Sequence, residues 1–248
     1  MMGRSHAALG AAVILGVGLV LPHPTAASIL SGLVVGVGGS LLPDLDEDGS
    51  TVSRVGGPAT RLVGWATGKL AGGHRHATHS LLGAAVFGLA AMLLAHFRLA
   101  EGLICFAFAL LAVRALIPRV LRWSTIATWA LAAGAGSLAA ASLSPGRFGL
   151  LVALGCLVHL VGDMATAGGV PLLWPLPRKI AFPVLGHTNS VREHVVALGL
   201  LGLVVFFGDV TLHRLVISHY TAPGLLASTI HPLHSFASWL STTVQAHR

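Results

Sequence analysis

The chain predicts an all-α polytopic membrane protein of about seven transmembrane helices with a metal site at one membrane face. Three observations lead there. Charged residues make up only 9% of the 248 positions, against about 25% in a soluble domain. Residues of the apolar set reach 54%, and the mean hydropathy is +0.83. The few acids and several histidines cluster beside apolar runs instead of spreading over a surface. So few charges cannot cover a water-soluble globule, and disordered chains are polar and highly charged. A bilayer-embedded bundle remains. Two cysteines, Cys105 and Cys156, lie inside apolar runs. They read as small core residues, which excludes a disulfide scaffold or a Cys-rich zinc site.

The net charge of +7 raises a nucleic-acid reading. The basic residues are scattered between apolar runs, as in membrane proteins that use Lys and Arg for loop orientation. No nucleic-acid partner is expected; the partners are the lipid bilayer and a membrane lipid substrate.

A span needs ~20 mostly apolar residues. Candidate runs are 6–21, 26–42, 80–97, 100–117, 124–143, 147–165 and 194–210. The first run follows Arg4 and precedes the small residues Thr25-Ala26-Ala27-Ser28, a pattern shared with cleaved signal peptides. An uncleaved span is preferred, because a second apolar run follows at once through Pro22-His23-Pro24. Residues 1–210 form the membrane-embedded domain. The stretch 211–248 is interrupted by His213, Arg214, His219, His231, Pro232 and His234, and reads as an interfacial or re-entrant tail.

Alternating the spans from a cytoplasmic N-terminus places Arg4, Arg54, Arg61, Lys69, Arg75, Arg114, Arg119, Arg122, Arg178, Lys179 and Arg192 on one side, and Arg98, Arg147, Arg214 and Arg248 on the other. This asymmetry follows the positive-inside rule and predicts an inner-membrane protein with a cytoplasmic N-terminus. The same topology, which used only Lys and Arg, gathers His6, Asp44, Asp46, His74, His79, His159, Asp163 and Glu193 at that face. His159 and Asp163 share a helix face four residues apart. A carboxylate buried there requires a partner or a cation. Glu47, Asp48, His23, His96, His213, His219, His231, His234 and His247, with Glu101 and Asp209, read as solvated or interfacial groups.

Imidazole and carboxylate without thiolate is the ligand set of a hydrolytic divalent-metal site. Zn²⁺ takes it most readily, and Mn²⁺ or Fe²⁺ are compatible. Eight candidate ligands exceed one tetrahedral shell, so one to three ions are expected. Asp46, Glu193 and His74 are the candidates for proton transfer. Arg75, Arg178 and Lys179 are the candidates for holding a substrate phosphate, with Arg192 nearby. Trp174 fits an interfacial anchor or the rim of a cleft for a lipid headgroup.

Leu41-Leu42-Pro43-Asp44-Leu45-Asp46 with Ser50, His74-Arg75-x-x-Thr78-His79-Ser80, and His159-x-x-x-Asp163 followed by Thr166-x-x-Gly169-Val170-Pro171-Leu172-Leu173-Trp174-Pro175 together resemble the YdjM family of inner-membrane proteins, over roughly residues 6–195. The resemblance implies a metal-dependent hydrolase, distantly similar to zinc phospholipases C and single-strand nucleases. It implies the ligand set His6, Asp44, His79, His159, Asp163 and Glu193, with His74 and Asp46 close by. His76 stands where the family commonly has a small residue, and Glu47 where it often has His. The expected activity is hydrolysis of a membrane-lipid phosphoester. The competing readings are a metal or proton transporter and a non-catalytic scaffold with a structural metal.

Overall fold

The structure, a computed structural model, describes residues 1–21, 24–117 and 124–220, with side chains up to residue 217. It is helical, with no β-strand among the described residues. Helix α1 runs Gly3–Val20 and α2 runs Ala26–Gly39. The short α3 spans Thr51–Arg54 and α4 spans Pro58–Ala71. Four further apolar helices follow: α5 Leu81–Leu94, α6 Arg98–Leu116, α7 Thr125–Ser142 and α8 Pro145–Met164. Helix α9 covers Val191–Tyr220.

Local chemistry sets these boundaries. Thr25 and Ser28 form a reciprocal capping box at the start of α2, which satisfies two otherwise orphaned donors. Ser80 accepts from the Gly83 amide, Ser124 from Ala127 and Ser190 from Glu193, capping α5, α7 and α9. Pro145 sits in the first turn of α8, where a missing N–H costs nothing.

Six helices are long and apolar enough to cross a membrane among the described residues: α1, α2 with the turn after it, α6, α7, α8 and α9. Each matches a run read from the sequence. At 1.5 Å per residue, the 20 residues of α8 span about 30 Å, the thickness of a hydrocarbon core. The seventh run, α5, has only 14 helical residues and reaches about 21 Å. It falls short of the 80–97 run read from the sequence.

Packing centres on α2, which lies against α1, α6, α7 and α8, while α8 also lies against α5. Small residues make these approaches possible, as between helices in lipid, where van der Waals fit replaces the hydrophobic drive. A Cβ added at Gly155 of α8 would sit 2.6 Å from the Gly36 carbonyl oxygen of α2, and one at Gly149 would sit 2.6 Å from the Gly88 carbonyl oxygen of α5. Val35, Val37, Phe148, Val152 and both cysteines, Cys105 and Cys156, are buried in the resulting core.

Two segments differ from the sequence reading. Residues 43–79, taken as a loop, contain a 3₁₀ turn (Leu42–Asp46), α3, α4 and a second 3₁₀ turn (Ala77–His79). Glu101, read as a solvated acid, is 1% exposed at the start of α6. It pairs there with Arg98 at 2.8 Å, beside the Ala140 carbonyl.

Residues Met1–Phe207 form one compact unit, and a second begins at Gly208. The described part of the second is the continuation of α9, so helix extends past the boundary at 210 read from the sequence. The rest of the 211–248 tail lies outside the described residues, as does His23.

Candidate metal centre

Five span ends meet at one face of the first unit. The N-terminal turn of α1 brings His6, the 3₁₀ turn after α2 brings Asp44 and Asp46, and the 3₁₀ turn before α5 brings His79. The last two turns of α8 bring His159 and Asp163, and the first turn of α9 brings Glu193. His6, His79, His159 and Glu193 are fully buried, and Asp163 is 1% exposed. Gly162 is part of the reason this crowding is possible: a Cβ there would stand 3.1 Å from the His6 ring.

Both central histidines are oriented from behind. His159 Nδ1 donates to the Ser40 carbonyl at 2.8 Å. Thr78 donates its hydroxyl to Asp46 Oδ2 at 2.5 Å, so its oxygen accepts from His79 Nδ1 at 3.0 Å. Asp46 Oδ2 also lies 3.5 Å from that nitrogen. A neutral imidazole with Nδ1–H engaged carries its lone pair on Nε2. Carboxylate or carbonyl groups behind ligating histidines perform this fixing in metal sites generally.

Those Nε2 atoms converge with two carboxylate oxygens. His79 Nε2 and His159 Nε2 are 3.2 Å apart. Asp44 Oδ1 lies 3.5 Å from the first and 3.6 Å from the second. Asp163 Oδ2 lies 3.7 Å from each. A tetrahedral zinc site with bonds of ~2.0–2.1 Å has ligand–ligand edges of about 3.3 Å. Five of the six separations among the four atoms are close to that edge.

The other side of Asp163 faces His6. Its Oδ1 is 3.2 Å from His6 Nε2 and also contacts the Met1 amino group. The His6 and His159 rings stack at 3.7 Å between centroids. Neither ring nitrogen of His6 nor Asp163 Oδ2 has an aligned hydrogen-bond partner among the described residues. Orphaned buried polar atoms are costly; His6 and Asp163 form with His159 one group compact enough to hold an ion, and Asp44, His74 and His79 form a second. The donor set and its unsatisfied atoms thus fit a divalent metal.

Around this core, His74 Nδ1 bonds Asp46 Oδ1 at 2.8 Å with its side chain 36% exposed. Arg75, in a left-handed conformation at φ 59°, brings Nη2 to 3.0 Å from Asp163 Oδ2. Glu193 turns its oxygens to the amides of Met2 (2.5 Å) and Asn189 (2.7 Å), beside the cluster and outside both groups. A cleft of about 580 Å³ opens over the cluster, lined by Met1, Asp44, Glu47, His74, Arg75 and Thr188 among others. Arg178 and Lys179 are exposed on the segment between α8 and α9 and do not line it. His76 is exposed and belongs to neither group.

Electrostatics matches this geometry at His79, which lies between spans. Burial pulls its pKa down, but the hydrogen bonds and charges of Asp44 and Asp46 outweigh this and push it up to about 9. The opposed acids therefore hold a positive charge here even without a metal. Sequence reasoning had no access to the Ser40 carbonyl or the Met2 and Asn189 amides, which are backbone groups. Thr78 directly precedes His79 in the His74–Ser80 motif, and that adjacency is the signal for its role.

A bundle of apolar spans whose ends enclose a buried imidazole–carboxylate cluster defines a polytopic membrane protein able to hold a metal ion at one membrane face. The chain belongs to the YdjM inner membrane protein family, which matches residues 1–230. No curated protein and no solved structure gives a significant match.

Proposed function

We propose that the protein is a membrane-bound metal-dependent hydrolase that cleaves a phosphoester of a membrane lipid. The carrying observation is the convergence of His79, His159, Asp44 and Asp163 at ligand spacing beneath an open, polar cleft. Zn²⁺ is the proposed ion, and the proposed side is cytoplasmic, from the distribution of Lys and Arg. A bound divalent ion there supplies Lewis acidity and a water acidic enough to attack at neutral pH.

The chain's own residues carry the remaining tasks. Asp44, His79, His159 and Asp163 hold the ion, with His6 on the second oxygen of Asp163. Asp46 fixes His79 and His74. With Nδ1 held by Asp46, the His74 ring is half-exposed at the cleft and is placed to move a proton at Nε2. Arg75 offers a planar guanidinium to a phosphate oxygen. Glu193 anchors the first turn of α9 to the chain at Met2. A site at headgroup depth meets lipid substrates by lateral diffusion, which supports a lipid over a soluble ester. Polar groups concentrated at one end of the spans favour this reading over an ion pathway, which needs them along the bilayer depth.

The test combines metal analysis of the purified protein with phospholipid hydrolysis. The unmodified protein should carry stoichiometric metal and release a headgroup or phosphate. His159→Ala should lose both. Lipid hydrolysis that persists in metal-free His159→Ala contradicts the proposal.

A further inference from the structure

Helix α4 is not among the six helices long and apolar enough to cross a membrane, and its outer face is left uncovered. Leu62, Val63, Trp65 and Leu70 are 65%, 53%, 56% and 88% exposed. At 100° per residue, Leu62, Val63 and Leu70 fall on one arc. Arg61, Trp65 and Lys69, spaced four apart, form a stripe along one edge of it. The opposite face is pressed against the turn that carries Asp44 and Asp46. A Cβ added at Gly64 would lie 2.7 Å from the Leu45 carbonyl oxygen, and one at Gly68 would lie 3.0 Å from that of Asp46.

A cleft opens on each flank of Trp65. A cleft of about 450 Å³ is lined by Asp48, Arg54, Arg61, Leu62 and Trp65. On the other flank of Trp65, a cleft of about 410 Å³ is lined by residues that include Asp46, Asp48 and Lys69. An apolar arc edged by cations and a tryptophan is the pattern of a helix lying in the membrane interface.

We propose that α4 docks on the leaflet surface at the site face, with Leu62, Val63 and Leu70 in the acyl boundary and Arg54, Arg61 and Lys69 on anionic lipid headgroups. Its occupant is thus an anionic lipid surface. Charge complementarity argues for that occupant, as does the presence of the spans, which already bring a leaflet to the same face. Docking would brace the Leu42–Asp46 turn and set the height of the cluster relative to the headgroups. The proposal rests on the membrane-spanning fold and not on hydrolase activity.

Site-directed spin labelling of the full chain in nanodiscs tests it. Labels are placed by Leu62→Cys, Val63→Cys and Leu70→Cys. Leu93→Cys on α5 serves as the lipid reference and Asp48→Cys as the aqueous one. The native Cys105 and Cys156 are fully buried, and the unmodified chain controls for their labelling. In discs containing phosphatidylglycerol, the α4 labels should resemble Leu93→Cys, open to oxygen and shielded from a water-soluble nickel chelate. Each basic side chain near an anionic leaflet favours the bound state by about fivefold. Arg61→Glu with Lys69→Glu should therefore weaken docking by about thirtyfold or more and move the labels toward the Asp48→Cys pattern. The same double variant should change nothing in discs of phosphatidylcholine alone. Nickel access equal to that at Asp48→Cys in both lipids overturns the proposal. So does shielding from both probes, which means a protein covers the face, or lipid exposure indifferent to the charge reversal. Metal content read on the same samples separates a failure here from a failure of the hydrolase reading.

Discussion

His79 and His159 present their Nε2 atoms to each other at 3.2 Å, while Nδ1 of each is tied back to the protein. Two neutral imidazoles held this way, both with buried rings, would aim lone pairs at one another. Only a positive charge between them makes the arrangement favourable, either a proton or a metal ion. Asp44 and Asp163 add acceptor oxygens close by, and the groups they belong to are compact enough to hold a metal ion.

Removing the support behind a ligand should weaken the site without erasing it. Asp46→Asn keeps the shape but loses the carboxylate behind His79 and His74. Metal affinity should fall about 10–100-fold, read by competition with a chromophoric chelator. His74→Ala should instead retain the metal and lower turnover about 10²–10⁴-fold. An equal loss of metal in both variants would make His74 a ligand.

Metal binding should be linked to pH through His79. Without metal its pKa stands at about 9, so it is protonated at neutral pH, and ligation requires the neutral ring. Binding below pH 9 must then release this proton, and affinity should rise by up to about tenfold per pH unit until the curve flattens near 9. The raised value also means that the His79–carboxylate contact stabilises the metal-free fold fully below the unfolded pKa. That contribution is lost as pH rises through about 9. Titration calorimetry in buffers of different ionisation enthalpy counts the released protons.

Arg75 should distinguish the metal-free from the loaded protein. Its guanidinium, 3.0 Å from Asp163 Oδ2, joins the Met1 amino group on the other oxygen in offsetting a carboxylate buried to 1% exposure. Arg75→Gln should lower the melting temperature of the metal-free form and widen the gap between metal-free and loaded protein. If Arg75 also holds substrate phosphate, KM rises in the loaded variant while metal content stays unchanged.

The crossing of α2 and α8 leaves no room for a side chain at Gly155. Gly155→Val should force the helices apart at a cost of about 1–3 kcal/mol. It should also reduce metal content, because His159 lies one turn further along α8 and depends on Ser40 of α2. Thermal unfolding in detergent with parallel metal analysis checks both effects. Normal stability with normal metal would contradict the close approach.

Much of this was legible in the residues themselves. The seven apolar runs correspond to helices because a span carries a strong, continuous signal. His159 and Asp163 were visible as polar groups four apart inside such a run. Helix α4 was hidden, since its 14 residues are amphipathic and flanked by glycines that read as loop. The buried Glu101 was hidden because its partner Arg98 lies only one turn away at a helix start. Glu193 shows the limit of spacing arguments. It sits in the first turn of α9, but its oxygens are taken up by the Met2 and Asn189 amides, and a sequence does not display backbone donors brought in from a distance.

X-ray absorption at the zinc edge on the purified, metal-loaded protein tests the central claim most directly. The account predicts about one or more ions per chain with nitrogen and oxygen neighbours at ~2.0–2.1 Å. It also predicts imidazole outer-shell scattering that diminishes in both His79→Ala and His159→Ala. A protein that takes up no stoichiometric divalent ion, or a bound ion whose imidazole scattering is unchanged in both variants, would contradict it.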